Sequence, residues 1–165
     1  MEHESLRVVL AQRPIVWTDP EANLRLMAED ICSAAEEGAH LVVFPEVMLT
    51  GFNLKVTQSA RPWQGTELER LRALAQEHQI AIASSAFVWD DETQPTHYYN
   101  RAYIMLPDGS IYSQDKRHLF SMAGEDRRLT PGDGYDVVTY RGWRIRLITC
   151  YDLRFPVWCR NRTHT

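Results

Sequence analysis

Residues 40–44 read HLVVF, and after the histidine no polar residue interrupts the run. A strand with one wet face alternates apolar and polar side chains. A continuous run needs cover on both faces, which is the habit of parallel strands in layered α/β folds. The flanking sequence supplies that cover. Upstream, RVVLAQ (7–12) is a short β-branched run that predicts a first strand. Thr18 and Glu21 then stand at capping-box spacing, with Pro20 suited to a first helical turn. Leu24, Met27, Ala28, Ile31 and Ala35 recur with the helical period, and Gly38 is placed to end that helix.

The pattern repeats downstream. Thr66 and Glu69 form a second capping-box pair, and Leu68, Leu71, Leu74 and Ala75 make a second apolar helical face. A strand is expected over Ile80–Val88. Arg101–Leu106 and Ile111–Ser113 flank Pro107-Asp108-Gly109-Ser110, a good hairpin turn. Val137–Tyr140 and Arg144–Thr149 flank Arg141-Gly142-Trp143, a second hairpin whose last strand ends at Cys150. Ser121–Asp136, rich in Gly, Asp and Arg, reads as a long irregular loop. The order β-α-β-α-β followed by hairpins predicts an α/β layered fold with a mixed sheet, in one domain over residues 1–165.

Composition narrows the function classes. With 165 residues, 44% of them hydrophobic, the chain is long enough to bury a sizeable core. The formal charge is −4 and no segment is dominated by Lys or Arg, which argues against a nucleic acid or an anionic membrane as partner. The N-terminus, MEHESLRVVLAQ, has no basic stretch leading into a long apolar one, so neither a signal peptide nor a membrane span is expected. The cysteines are Cys32, Cys150 and Cys159. That odd count, without an export signal, points to a reducing, cytoplasmic setting. No CxxC pair occurs and the six histidines are scattered, so no metal site is expected. Asn161-Arg162-Thr163 matches a glycosylation sequon without an export signal to give it meaning.

Functional groups of open α/β sheets gather beyond the carboxyl ends of strands. Three reactive side chains fit that rule: Glu46 after HLVVFP, Lys116 after IYSQD, and Cys150 after RIRLIT. Each also has a plain structural reading. Glu46 could be a solvated loop residue, Cys150 core filler, and Lys116 surface charge in Asp115-Lys116-Arg117-His118. Spacing alone leaves both readings open. Cys150 with His118 could instead form a thiolate–imidazolium pair. Cys159 reads as structural. Arg154 could meet a substrate carboxylate, a salt-bridge partner or solvent.

Taken together, VVFPEVMLTGF around Glu46, YSQDKRHLF around Lys116 and LITCYDLRFP around Cys150 resemble the Glu-Lys-Cys motifs of the nitrilase superfamily, the carbon–nitrogen hydrolases, and stand in that family's order. VVLAQRPIVWTDPEANL is similar to the family's opening strand and helix. DKRHLF, FPEVMLTGF and YRGWRIRLITCYDLRFPVW look most like the bacterial omega-amidase branch.

The resemblance implies a four-layer α-β-β-α sandwich and hydrolysis of a small ω-amide of a 2-oxo acid, such as 2-oxoglutaramate, to acid and ammonia. It implies Cys150 as nucleophile, Glu46 as general base and Lys116 as oxyanion stabiliser, with no cofactor. It also implies the backbone N–H of Tyr151 as a second oxyanion donor, Glu125 as a supporting carboxylate, and a homodimeric full-length form. Other reactions of the superfamily, on aliphatic amides, N-carbamoyl compounds or nitriles, remain alternatives. So does a non-catalytic binding module. The resemblance runs from about Leu6 to Trp158. The RNRTHT ending shows no continuation into a next strand and helix, so the expectation is the N-terminal portion of the family's domain, roughly 60% of it, with the C-terminal part missing.

Overall fold

The computed structural model describes residues 5–90 and 97–161. The last four residues of RNRTHT, and with them the last two positions of the sequon, lie outside the described residues.

The first strand, β1 (Val8–Leu10), pairs in parallel with β2 (Leu41–Val43), and β2 pairs in parallel with β4 (Ala81–Trp89). The connections are α1 (Pro20–Glu36) and α3 (Thr66–Glu77). The hairpin strands β5 (Tyr99–Met105) and β6 (Ile111–Asp115) then run antiparallel, which gives the mixed order β1-β2-β4-β5-β6. A one-turn helix α2 (Val56–Ser59) and a two-residue strand β3 (Arg61–Pro62) were not anticipated; β3 joins the far end of β4.

Apolar residues on each side of this sheet show how it is covered. Val42, Ile82, Ala86, Val88, Tyr103 and Met105 pack against Leu24, Met27, Ile31, Leu68 and Leu71 of α1 and α3. On the opposite face, Leu41, Ala81, Ala83 and Ile104 pack against Val138, Tyr140, Ile145 and Leu147. Those come from a small second sheet, β7 (Val138–Tyr140) with β8 (Trp143–Ile145), and the segment after it. Helices, sheet and second sheet therefore stack in the expected α/β order. Burying a side chain such as Leu24 or Ile31 stabilises by roughly 1.5–3 kcal/mol.

Several local expectations need correction. Thr18 does not cap α1. It takes a left-handed turn (φ 57°) and donates its N–H to the Thr50 carbonyl, so Asp19 caps instead, accepting from the Ala22 N–H at 2.9 Å. Thr66 is the first residue of α3, Gly65 occupies the cap, and no side chain caps that end. Gly38 does close α1 (φ 75°): its N–H and that of Ala39 reach the Ala35 and Ala34 carbonyls, the paired bonds of a Schellman end. The last strand stops at Ile145, and residues 146–149 reach Cys150 outside any ladder. The second turn is Arg141-Gly142, because Trp143 pairs with Tyr140 inside the ladder. Within the 121–136 loop, Ser121–Ala123 and Glu125–Arg127 form 3₁₀ turns.

Candidate active site

Glu46 is displayed where β2 leaves β4. The last ladder bond on that edge is Phe44 N–H to the Ala83 carbonyl, 2.8 Å. Pro45 has no N–H to continue it. Two hydroxyls of β4 replace the missing backbone bonds. Ser84 Oγ donates to the Pro45 carbonyl at 2.8 Å, and Ser85 Oγ accepts from Val47 N–H at 3.0 Å. Val47 is fully buried with φ at 54°, a costly conformation for a β-branched residue. The chain is thus bent sharply at Glu46, and the carboxylate is turned toward the end of β6.

Lys116 follows β6 directly. Its N–H donates to the Asn100 carbonyl at 2.9 Å, which extends the β5–β6 ladder by one step and sets Lys116 beside Asn100. Across the neighbouring pair, Arg101 holds Asp115 at 2.7 and 2.9 Å and also binds Asp90, which fixes this register. The Lys116 side chain is fully buried. Its Nζ lies 3.0 Å from Glu46 Oε1, and 3.0 and 2.9 Å from the two oxygens of Glu125. Glu125 is buried as well, and its Oε2 accepts the Phe120 N–H at 2.6 Å. Gly132 lets the loop close here. Its N–H donates to the Lys116 carbonyl at 3.0 Å, and a Cβ at this position would land on the Asp115 carbonyl oxygen.

Cys150 opens a 3₁₀ turn, Cys150–Arg154, with φ at 46°. Its thiol is exposed rather than core-filling. A cavity of about 150 Å³ between the sheets is lined by Glu46, Ser85, Thr149 and Cys150, among others. A larger one, about 410 Å³, borders Tyr135, Arg144, Arg146 and Asn161 and holds none of the candidate residues. The Tyr151 N–H follows the thiol by one residue, inside the same turn.

The turn is tied to the Lys116 loop by His118 and Asp152. Asp152 is fully buried, and its Oδ1 lies 2.8 Å from both His118 N and His118 Nδ1. The imidazole stacks on Phe155 at 3.6 Å. His118 is therefore committed to Asp152, which removes the support for a Cys–His pair. Cys159 Sγ donates to the Asp152 carbonyl at 3.0 Å, a structural contact, and Arg154 is exposed.

The electrostatics follow from two carboxylates sharing one ammonium. Burial pulls the Lys116 ammonium down, but Glu46 and Glu125 outweigh it, and the net shift is upward. Lys116 thus stays charged at neutral pH. Burial pushes the Cys150 thiol up, the charge of Glu46 adds to this, and Lys116 opposes it; the net is upward. The resting group is a neutral thiol, so attack on a carbonyl needs a base.

Glu46, Lys116, Glu125 and Cys150 are 104 residues apart in sequence at the extremes and meet at one place. Sequence reasoning missed Asn100, whose Nδ2 donates to Glu46 Oε1 at 2.7 Å and Glu125 Oε1 at 3.2 Å. It also missed Ser84, Ser85 and Asp152. The available signal was a polar residue inside a buried strand, YNRAYIM. Among the described residues no cluster of three or more His, Cys, Asp or Glu could hold a metal ion.

A carbon–nitrogen hydrolase family model matches residues 7–163. The omega-amidase YafV of Yersinia enterocolitica is 38% identical over 158 residues, 96% of this chain and 59% of that protein. Among solved structures, XC1258 of Xanthomonas campestris is a CN-hydrolase superfamily protein with an arsenic adduct in its active site. It gives a TM-score of 0.88 at 34% identity, over 95% of this chain and 57% of that one. A variant amidase from Nesterenkonia sp., with acrylamide added at its active-site cysteine, gives 0.80 at 25% identity, over 93% and 61%. The chain therefore spans about three fifths of the length of such relatives. With the sheet order, the meeting of Glu46, Lys116 and Cys150, and a family match over nearly its whole length, this chain belongs to the carbon–nitrogen hydrolase family.

Proposed function

We propose that this chain carries the reacting groups of an amidase that hydrolyses a small ω-amide of a 2-oxo acid through a cysteine thioester. The observation that carries the reading is the Lys116 ammonium held 3.0 Å from Glu46, with Glu46 and Cys150 lining one cavity. The likeness to an omega-amidase directs the choice of substrate.

The chemistry balances on these residues. Glu46 takes the thiol proton as Sγ bonds to the amide carbon and the carbonyl pair moves onto oxygen. Lys116 and the Tyr151 N–H stabilise that oxyanion. As it collapses, the C–N bond breaks and Glu46 returns its proton to the leaving nitrogen, which departs as ammonia. Water then attacks the thioester and gives a proton to Glu46. The tetrahedral species expels the sulfur, which recovers that proton, and the acid is released. Glu125 keeps Lys116 in place throughout. The three cysteines are free thiols, which suits the reducing cytoplasm.

The test is incubation of the full chain with 2-oxoglutaramate. Equimolar ammonia and dicarboxylate, with an acyl adduct on Cys150 by mass spectrometry after acid quench, are expected. Neither ammonia nor adduct would refute the reading. Ammonia release that survives Cys150→Ser would refute the thioester.

A further inference from the structure

Asn100 touches two of the candidate groups while being fully buried itself. Carboxylate oxygens only accept, so the NH₂ end of its amide must be the end that faces Glu46 and Glu125. The other end, Oδ1, is buried with no partner among the described residues. An idle buried acceptor costs stability, so such a residue needs a reason at its other end. Both Asn100 Nδ2 and Lys116 Nζ end on the same atom, Glu46 Oε1. Lys116 is also shared with both oxygens of Glu125, so it cannot hold Glu46 alone.

We propose that Asn100 is a positioning residue of this site: with Lys116 it anchors Glu46 through Oε1, so that Oε2 is the oxygen that exchanges a proton with Cys150. The inference rests on reading Glu46 as the base for Cys150. The charged groups acting on the thiol are Glu46, Lys116 and Glu125, while His118 on the adjoining loop is tied to Asp152. The Asn100 amide draws part of the Glu46 charge away from the sulfur. Without it, that charge acts on the thiol more fully and the carboxylate gains freedom to rotate.

The experiment follows alkylation of Cys150 by iodoacetamide against pH in the full chain, read by peptide mass. The sulfur bonds to carbon and iodide leaves. In the nearly isosteric Asn100→Leu the midpoint should move up, and in Asn100→Asp further up. At a fixed pH below the midpoint, that slows alkylation roughly 3- to 10-fold in Asn100→Leu. In a Glu46→Gln background, Asn100→Leu should leave the midpoint alone. A purely packing role would follow neither the charge series nor the background. An unchanged midpoint in folded Asn100→Leu overturns the proposal; should that variant not fold, an unchanged midpoint in Asn100→Asp does so. If Glu46→Gln alone fails to lower the midpoint, Glu46 does not act on the thiol and the underlying reading falls too.

Discussion

Replacing Lys116 with methionine removes the cation from a set of three charges, of which Lys116 and Glu125 are fully buried and Glu46 partly so, and little volume. Glu46 and Glu125 would then share a space closed to water on the Glu125 side, with no cation between them. Removing one partner of a buried ion pair costs about 3–5 kcal/mol, because the survivor is left uncompensated. For a chain of this length that corresponds to a loss of roughly 6–20 °C in Tm. The size should depend on pH. In the parent chain the sign is set by Lys116, whose pKa is raised on folding. Its contribution is complete below the unfolded value, about 10.4, and is lost only as pH climbs through the higher folded value. The assay is thermal unfolding by circular dichroism at pH 5, 7 and 10.5, with Glu125→Gln added to Lys116→Met as a partial rescue. A Lys116→Met variant melting within about 2 °C of the parent at pH 7 would be inconsistent with a buried pair of this kind.

Glu46→Gln should separate two properties of the thiol. It removes a charge that holds the thiol up, so iodoacetamide alkylation of Cys150 should accelerate at pH 7, while ammonia release should fall by 100-fold or more, roughly the worth of a general base; parallel losses in both would contradict the assignment. Gly132→Ala should displace the loop from β6 and loosen Lys116, with a destabilisation of about 1–3 kcal/mol in urea titration; an unchanged midpoint would show that the loop does not need that close approach. Asp152→Ala should unpin the Cys150 turn from His118 at a cost of about 1–3 kcal/mol, and amide-exchange protection at His118 should drop; unchanged protection at His118 would refute the tie.

The parts of the fold that repeat a period were readable in advance. HLVVF has no polar alternate, and the structure buries it between α1 and α3 on one side and β7–β8 on the other. Leu24, Met27 and Ile31 repeat every three or four residues and line the face of α1 that packs on the sheet. What could not be read was which of two equal acceptors the helix start would use. Thr18 and Asp19 both suit a helix cap, and only the Thr50 carbonyl, 32 residues away, takes Thr18 out of contention. The same holds at the site. Glu46, Lys116 and Cys150 stand out because each follows a run of sequence that reads as a strand. Asn100 and Asp152 carry no local mark of what they bind, since their partners lie 54 and 34 residues away. The last strand was overextended because residues 146–149 look apolar enough to pair, and only the sheet decides that they do not.

The pairing of Lys116 with Glu46 spans 70 residues, and Cys150 lies 34 further on. Contacts so distant along a chain form late, after shorter loops have closed. The thiol can take on its altered reactivity only when β2, β6 and the Cys150 turn are all docked. During refolding, that makes Cys150 a clock. Its alkylation should follow an ordinary cysteine's pH dependence at first, and change in the step that brings the first and last parts of the chain together.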